Sequence, residues 1–158
     1  MISLVRAGKG VARIKGGDPF KFGRGGEELQ VLRQAGISIS VISGITSGMA
    51  VTASLNIPLT HRNSTHGVTF VTGHTQGSEE PNWQALAETG DSAWITADIP
   101  AAAIQNDTLP TQRQVVTTLG RLESWVVAEK MASPAIVVIG EVVRFAEMTE
   151  QISQQLAA

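Results

Sequence analysis

Between Lys15 and Glu28 the chain reads Lys-Gly-Gly-Asp-Pro-Phe-Lys-Phe-Gly-Arg-Gly-Gly-Glu-Glu, with five glycines inside eleven positions. No helix or strand interior tolerates that composition. Glycine loses the most backbone freedom on ordering, and Pro19 has no amide to donate. The segment must therefore be a loop, and its flanks say what it joins. Val11-Ala12-Arg13-Ile14-Lys15 is β-like, whereas Glu27 to Ala35 carries Leu29 and Leu32 on one helical face. Gly36 follows where a C-terminal helix cap belongs. A glycine loop leading from strand to helix lets main chain approach a ligand with no Cβ in the way, and the helix amides with nearby Lys and Arg favour anionic groups. The spacing is not G-x-G-x-x-G, and no Gly-Lys-Ser/Thr closes the loop, so neither a Rossmann fingerprint nor a P-loop is present.

The remainder alternates the same two periods, which predicts an α/β chain. Ile37 to Ile42 alternates strictly and reads as a strand. Ser43-Gly44 then turns into a small-residue helix over 46–54, residues 58–66 read as a linker, and Val68 to Thr72 as a strand. Further on, Asn82 caps a helix through Glu88. Ala93–Thr96, Ala101–Gln105 and Val115–Leu119 read as strands, Leu122–Met131 as a helix, and the last fifteen residues as a terminal helix. Ala135-Ile136-Val137-Val138-Ile139 is continuously apolar, the pattern of a strand covered on both faces. One join is too short for a parallel crossover, which needs about a dozen residues. Only Ala97-Asp98-Ile99-Pro100 separates Thr96 from Ala101, so those strands are antiparallel or a crossover element is missing.

Composition narrows the chemistry. With 158 residues, 42% of them hydrophobic, the chain can bury a core, and 4% aromatics without Tyr make that core aliphatic. The absence of Cys excludes disulfides, thiolate zinc sites and a cysteine nucleophile, and fits a reducing cytoplasm. The apolar runs are too short for a membrane span and the N-terminus lacks a secretory pattern, so a soluble, cytoplasmic chain is expected. The net charge of −2 hides an asymmetry: residues 1–78 carry eight Lys/Arg against three acids, and residues 79–158 four against eleven. A basic first half points to an anionic ligand, unless those side chains are simply a solvated face. Nucleic acid is not expected, because the cations are not interleaved with stacking aromatics. His61, His66 and His74 lack neighbouring acids, so no metal site is expected. No serine sits in a G-x-S-x-G elbow. Trp83, Trp94 and Trp125 are expected in the core.

The glycine loop resembles that of the tetrapyrrole methylases, and within them the uroporphyrinogen-III C-methyltransferase branch. Further blocks agree in order: Gly44-Ile45-Thr46-Ser47, Ile57-Pro58-Leu59-Thr60-His61-Arg62, Val68 to His74, Thr108 to Gln114, and Ser133 to Gly140. The resemblance implies an α/β fold of that type, with a remnant of an N-terminal parallel-sheet domain over 1–64 and a shortened C-terminal α/β domain with a mixed sheet over 65–158. It implies methyl transfer from S-adenosylmethionine to ring carbons of uroporphyrinogen III, giving precorrin-2 for siroheme or cobalamin. By position Gly16, Gly17, Asp18 and Lys21 would line the cofactor site, joined by Thr46 and Ser47 at the next turn. Arg24 would face the carboxylates of the acceptor, unless it pairs with Glu27 or Glu28. A homodimer is expected.

The chain departs from that pattern in three places. It starts inside the family's first domain, without the early glycine–proline loop. Where the family has an aromatic–Met–Gly strand end it reads Ala97-Asp98, and the following helix is deleted. The family's Asn-Gly-Thr reads Asn106-Asp107-Thr108, so Ala97 and Asp107 occupy cofactor-facing positions. Two other readings stay open: a non-catalytic remnant that binds the cofactor or a partner chain, and a sister methylase acting on a precorrin or RNA.

Overall fold

The computed structural model describes residues 1–73, 81–88 and 95–146. Packing divides the chain into two compact units, 1–47 and 48–158. That division falls before the expected boundary at 64/65, because residues following Ser47 contribute to the core of the second unit.

The first unit holds two helices, α1 (Ile2–Arg6) and α2 (Gly25–Gln34). Helix α2 stops as its sequence predicts. Gly36 takes φ 72°, and its amide bonds to the Arg33 carbonyl at 2.9 Å while that of Ile37 bonds to Leu32 at 3.1 Å. This double closure satisfies two of the carbonyls a helix end leaves orphaned. Helix α1 was not foreseen, since Met1 provides no side-chain cap.

The two strands expected in this unit are absent. Residues 11–15 and 38–42 make no backbone pairing among the described residues, and Ile14 and Ile42 stay 83% and 86% exposed. Alternation records which faces a strand would present, but strand identity requires a partner ladder. The expected parallel sheet therefore gives way to extended chain. Residues 68–72 are likewise outside any strand.

The second unit is built on a three-stranded sheet of β1 (Pro100–Gln105), β2 (Arg113–Thr118) and β3 (Ala135–Ile139), in the order β2-β1-β3. Both pairings are antiparallel, Ala102 facing Val116 on one side and Val138 on the other. The described sheet is thus antiparallel where a mixed one is expected. Central β1 is buried from Pro100 to Ile104, and its alanines admit layers against both faces. On one face Ala102 and Ile104 pack with Val51 of α3 (Ser47–Ser54), with Leu55 and Ile57 just beyond it, and with Val142 and Val143 of a 3-10 turn. On the other, Ala101 and Ala103 pack with Leu122 of α5 (Leu119–Ala128). Helix α4 (Trp83–Glu88) is capped as expected, the Ala85 amide donating to Asn82 Oδ1 at 3.0 Å.

Three other expectations are corrected. Among the described residues β3 is an edge strand, and on one of its faces Val137 is 52% exposed. Trp83 and Trp125 are exposed rather than in the core. Ile95 and Thr96 form no strand, and the chain there turns, the Ile99 amide bonding to the Thr96 carbonyl at 3.2 Å. Ala93, Trp94, His74 and the terminal helix beyond residue 146 lie outside the described residues. No described helix is long and apolar enough to cross a membrane.

Candidate functional site

Asp18 organises the first unit's loop. Its Oδ1 accepts the amides of Phe20 at 2.8 Å and Lys21 at 3.1 Å, and its Oδ2 accepts the Gly44 amide at 3.1 Å. The bond from Phe20 leads the causes that hold its carboxyl below the ordinary value, followed by partial burial acting in the opposite direction and then the Gly44 and Lys21 amides. One side chain thus fixes the bend after Pro19 and ties it to the turn before α3.

The glycines divide into two kinds. A Cβ on Gly44 would run into the Gly17 carbonyl, one on Gly23 would stand 2.6 Å from the Asp18 oxygen, and one on Gly25 2.5 Å from that of Pro19. These three exist so that backbone can lie on backbone. Gly16 differs, since nothing lies within 4 Å of where its Cβ would stand. Gly17, at φ 78°, comes 3.8 Å from the Thr46 Cα by the same measure. The bend at Gly16 and Gly17 is therefore solvent-exposed main chain beside the turn carrying Thr46, which is buried, and Ser47, which is exposed. A ligand could reach that main chain without displacing any side chain.

Cations and acids clamp the loop to α2. The largely buried Lys15 ammonium donates to the Gly23 carbonyl and pairs with Glu28 at 3.1 Å; Arg13 reaches the same carboxylate at 3.5 Å. The hydrogen bond from Lys15 is the main reason the Glu28 carboxyl is lowered. Arg24 precedes α2 in a left-handed conformation, φ 54°, and its Nε donates to Glu27 Oε1 at 3.1 Å. Glu27 is lowered first by its own amide at the helix N-terminus and then by Arg24. The expected alternative for Arg24, a surface pair, is what forms; its terminal guanidinium nitrogens have no partner among the described residues.

Of the residues expected to form the site, Gly16, Gly17, Asp18, Lys21, Arg24, Thr46 and Ser47 all belong to the first unit. Ala97 and Asp107 belong to the second. There the Ala97 carbonyl accepts the Gly120 amide at 2.8 Å, and Asp107 accepts the Ser54 hydroxyl at 2.5 Å. Asp107 thus fastens the end of α3. The described residues hold no group of His, Asp and Glu fit for a metal. Lys15 and Gly44 lie outside the expected site set, although Lys15 with Glu28 in the first turn of α2 is a latch the sequence carries.

The chain's residues 1–99 match the family model "Tetrapyrrole (Corrin/Porphyrin) Methylases". The siroheme synthase of Chromobacterium violaceum is 41% identical, covering 93% of this chain and 36% of its own length. The chain thus spans about a third of that relative. That alignment runs over 167 positions while about 147 residues of this chain enter it (93% of 158), so roughly 20 positions of the relative have no counterpart here. A crystal structure of uroporphyrin-III-C-methyltransferase from Thermus thermophilus superposes with TM-score 0.77 at 32% identity, covering 93% of this chain and 71% of that one. Another from Thermus thermophilus, complexed with S-adenyl homocysteine, gives 0.73 at 31% identity, covering 90% and 71%. The chain belongs to the tetrapyrrole (corrin/porphyrin) methylase family.

Proposed function

We propose that this chain is the methylating module of a uroporphyrinogen-III C-methyltransferase, using S-adenosylmethionine to produce precorrin-2. The observation that carries this reading is the open Gly16–Gly17 main chain, fixed by Asp18 beside Thr46 and Ser47. Its fit to the cofactor is concrete: the space a Cβ on Gly16 would fill is free, and the bend is held by hydrogen bonds that a ligand need not break.

The cofactor, when bound, supplies an activated methyl group. Gly16 and Gly17 present main chain to it, Asp18 ties the residues that follow them to the Gly44 turn, Thr46 stands beside Gly17, and Lys21 and Ser47 are assigned to the same site. Arg24 offers its terminal guanidinium nitrogens to an acceptor carboxylate, a geometry suited to two parallel hydrogen bonds. Such transfer requires little covalent help; it requires an in-line carbon and exclusion of water. The siroheme synthase and uroporphyrin methyltransferase relatives support the choice of acceptor. A homodimer is supported by the bare apolar face of β3, and a cytoplasmic setting by the lack of Cys.

The roughly 20 absent positions favour a second reading, a remnant that binds cofactor without turnover. Calorimetric titration with S-adenosylhomocysteine, run beside a methylation assay on uroporphyrinogen III, separates the two. Binding with turnover supports the enzyme, binding without turnover selects the remnant, and absence of binding removes both.

A further inference from the structure

Phe22 stands at the outer bend of the glycine loop, 58% exposed, in a chain where only 4% of residues are aromatic. Phe20, two residues earlier, is 53% exposed, and neither phenyl makes a ring contact among the described residues. Burial therefore explains neither ring. The backbone sharpens the point. Phe22 adopts φ 58°, a left-handed conformation that bulky side chains seldom enter. Glycine would take it freely, and the loop uses glycine at five neighbouring positions. Backbone strain of this kind persists where surrounding structure enforces it, and it concentrates at ligand-binding segments.

The surrounding structure does enforce it. On one side Asp18 holds the amides of Phe20 and Lys21; on the other, the Gly23 carbonyl is held by Lys15 and the Gly25 amide by the Pro19 carbonyl at 2.8 Å. The ring is thus displayed from a fixed frame, flanked in sequence by Lys21 and Arg24. An exposed phenyl between two cations matches a ligand that combines aromatic rings with carboxylates. It does not match an inorganic anion or an aliphatic acid.

Building on the acceptor reading above, we propose that Phe22 is a specificity-determining residue that packs against a pyrrole ring of the tetrapyrrole acceptor while neighbouring cations meet its carboxylates. The ring contact acts on the acceptor and not on the cofactor. The test titrates uroporphyrin III, the oxidised form of the acceptor, and S-adenosylhomocysteine separately into the wild type, Phe22→Gly and Phe22→Leu. Porphyrin affinity is expected to fall about tenfold in Phe22→Gly and less in Phe22→Leu. Affinity for S-adenosylhomocysteine should stay within about twofold in both. The melting midpoint of Phe22→Gly should equal or exceed that of the wild type, because glycine relieves the strain. Unchanged porphyrin affinity in both variants overturns the assignment, as does a joint loss of both ligands with a lowered midpoint, which marks a merely structural ring. A wild type that binds S-adenosylhomocysteine but no porphyrin overturns the acceptor reading and the Phe22 assignment with it.

Discussion

Protonating Asp18 removes the charge that holds the Phe20, Lys21 and Gly44 amides, so acid should loosen the loop and the turn before α3 together. The sign follows from the direction of the shifts. Asp18, Glu27 and Glu28 all sit below their ordinary values of 3.8 and 4.5, so the stability they contribute is complete above those values. It drains away as pH falls through them toward the lower folded values. Urea midpoints measured from about pH 6 to about pH 3 should drop less steeply in Asp18→Asn than in the wild type. Asp18→Asn should also be less stable at neutral pH, since an amide nitrogen would oppose the Gly44 amide. The glycines provide the complementary test. Gly44→Ala forces a methyl into the Gly17 carbonyl and should cost about 1–3 kcal/mol by urea denaturation. Gly16→Ala meets no atom and should leave the melting midpoint in place while weakening S-adenosylhomocysteine binding in calorimetry. Sequence alone could not separate these glycines. The glycine pattern shows only that side chains are excluded; the structure separates Gly23, Gly25 and Gly44, where backbone lies on backbone, from Gly16 and Gly26, where a Cβ would meet nothing within 4 Å.

At the level of elements, local signals were legible and non-local ones were not. Gly36 and Asn82 marked helix ends because a cap is decided within a turn of chain, and both work as read. Gly36→Ala should therefore cost about 1 kcal/mol, seen as a lower urea midpoint, because φ 72° is unfavourable for a residue with a Cβ. Strands 101–105 and 135–139 form where the sequence predicts them, and 115–119 forms shifted to 113–118 with Leu119 opening α5, because their partners lie in the described chain. Segments 11–15 and 37–42 carry the same alternation without a ladder, and nothing in a residue pattern states whether its partner is present. For β3 the apolar run predicts burial on both sides, but α5 lies over β1 and β2 and leaves Val137 and Ile139 exposed. The core itself follows the pattern closely. Ile104 is 1% exposed at the centre of the sheet, and Ile104→Ala should lower stability by about 2–5 kcal/mol in the same denaturation assay.

For the whole molecule, the sheet's two edges differ in a way that bears on assembly. Edge β2 begins with Arg113 and Gln114 and ends in threonines, side chains that discourage pairing with another chain. Edge β3 reads Ala-Ile-Val-Val-Ile, with no charge and no proline, and its outer ladder has no partner among the described residues. An uncharged edge joined to a bare apolar face is the combination most prone to pair with a second copy, and a two-fold axis would set β3 antiparallel against β3. Sedimentation velocity should accordingly show dimers whose fraction rises with concentration. Val137→Lys places a charge on the exposed face without entering the core, so it should shift the protein toward monomer and leave its melting transition at low concentration unchanged. A wild type that stays monomeric at high concentration would show that the β3 edge is not the contact. A dimer indifferent to Val137→Lys would put the contact outside the β3 face.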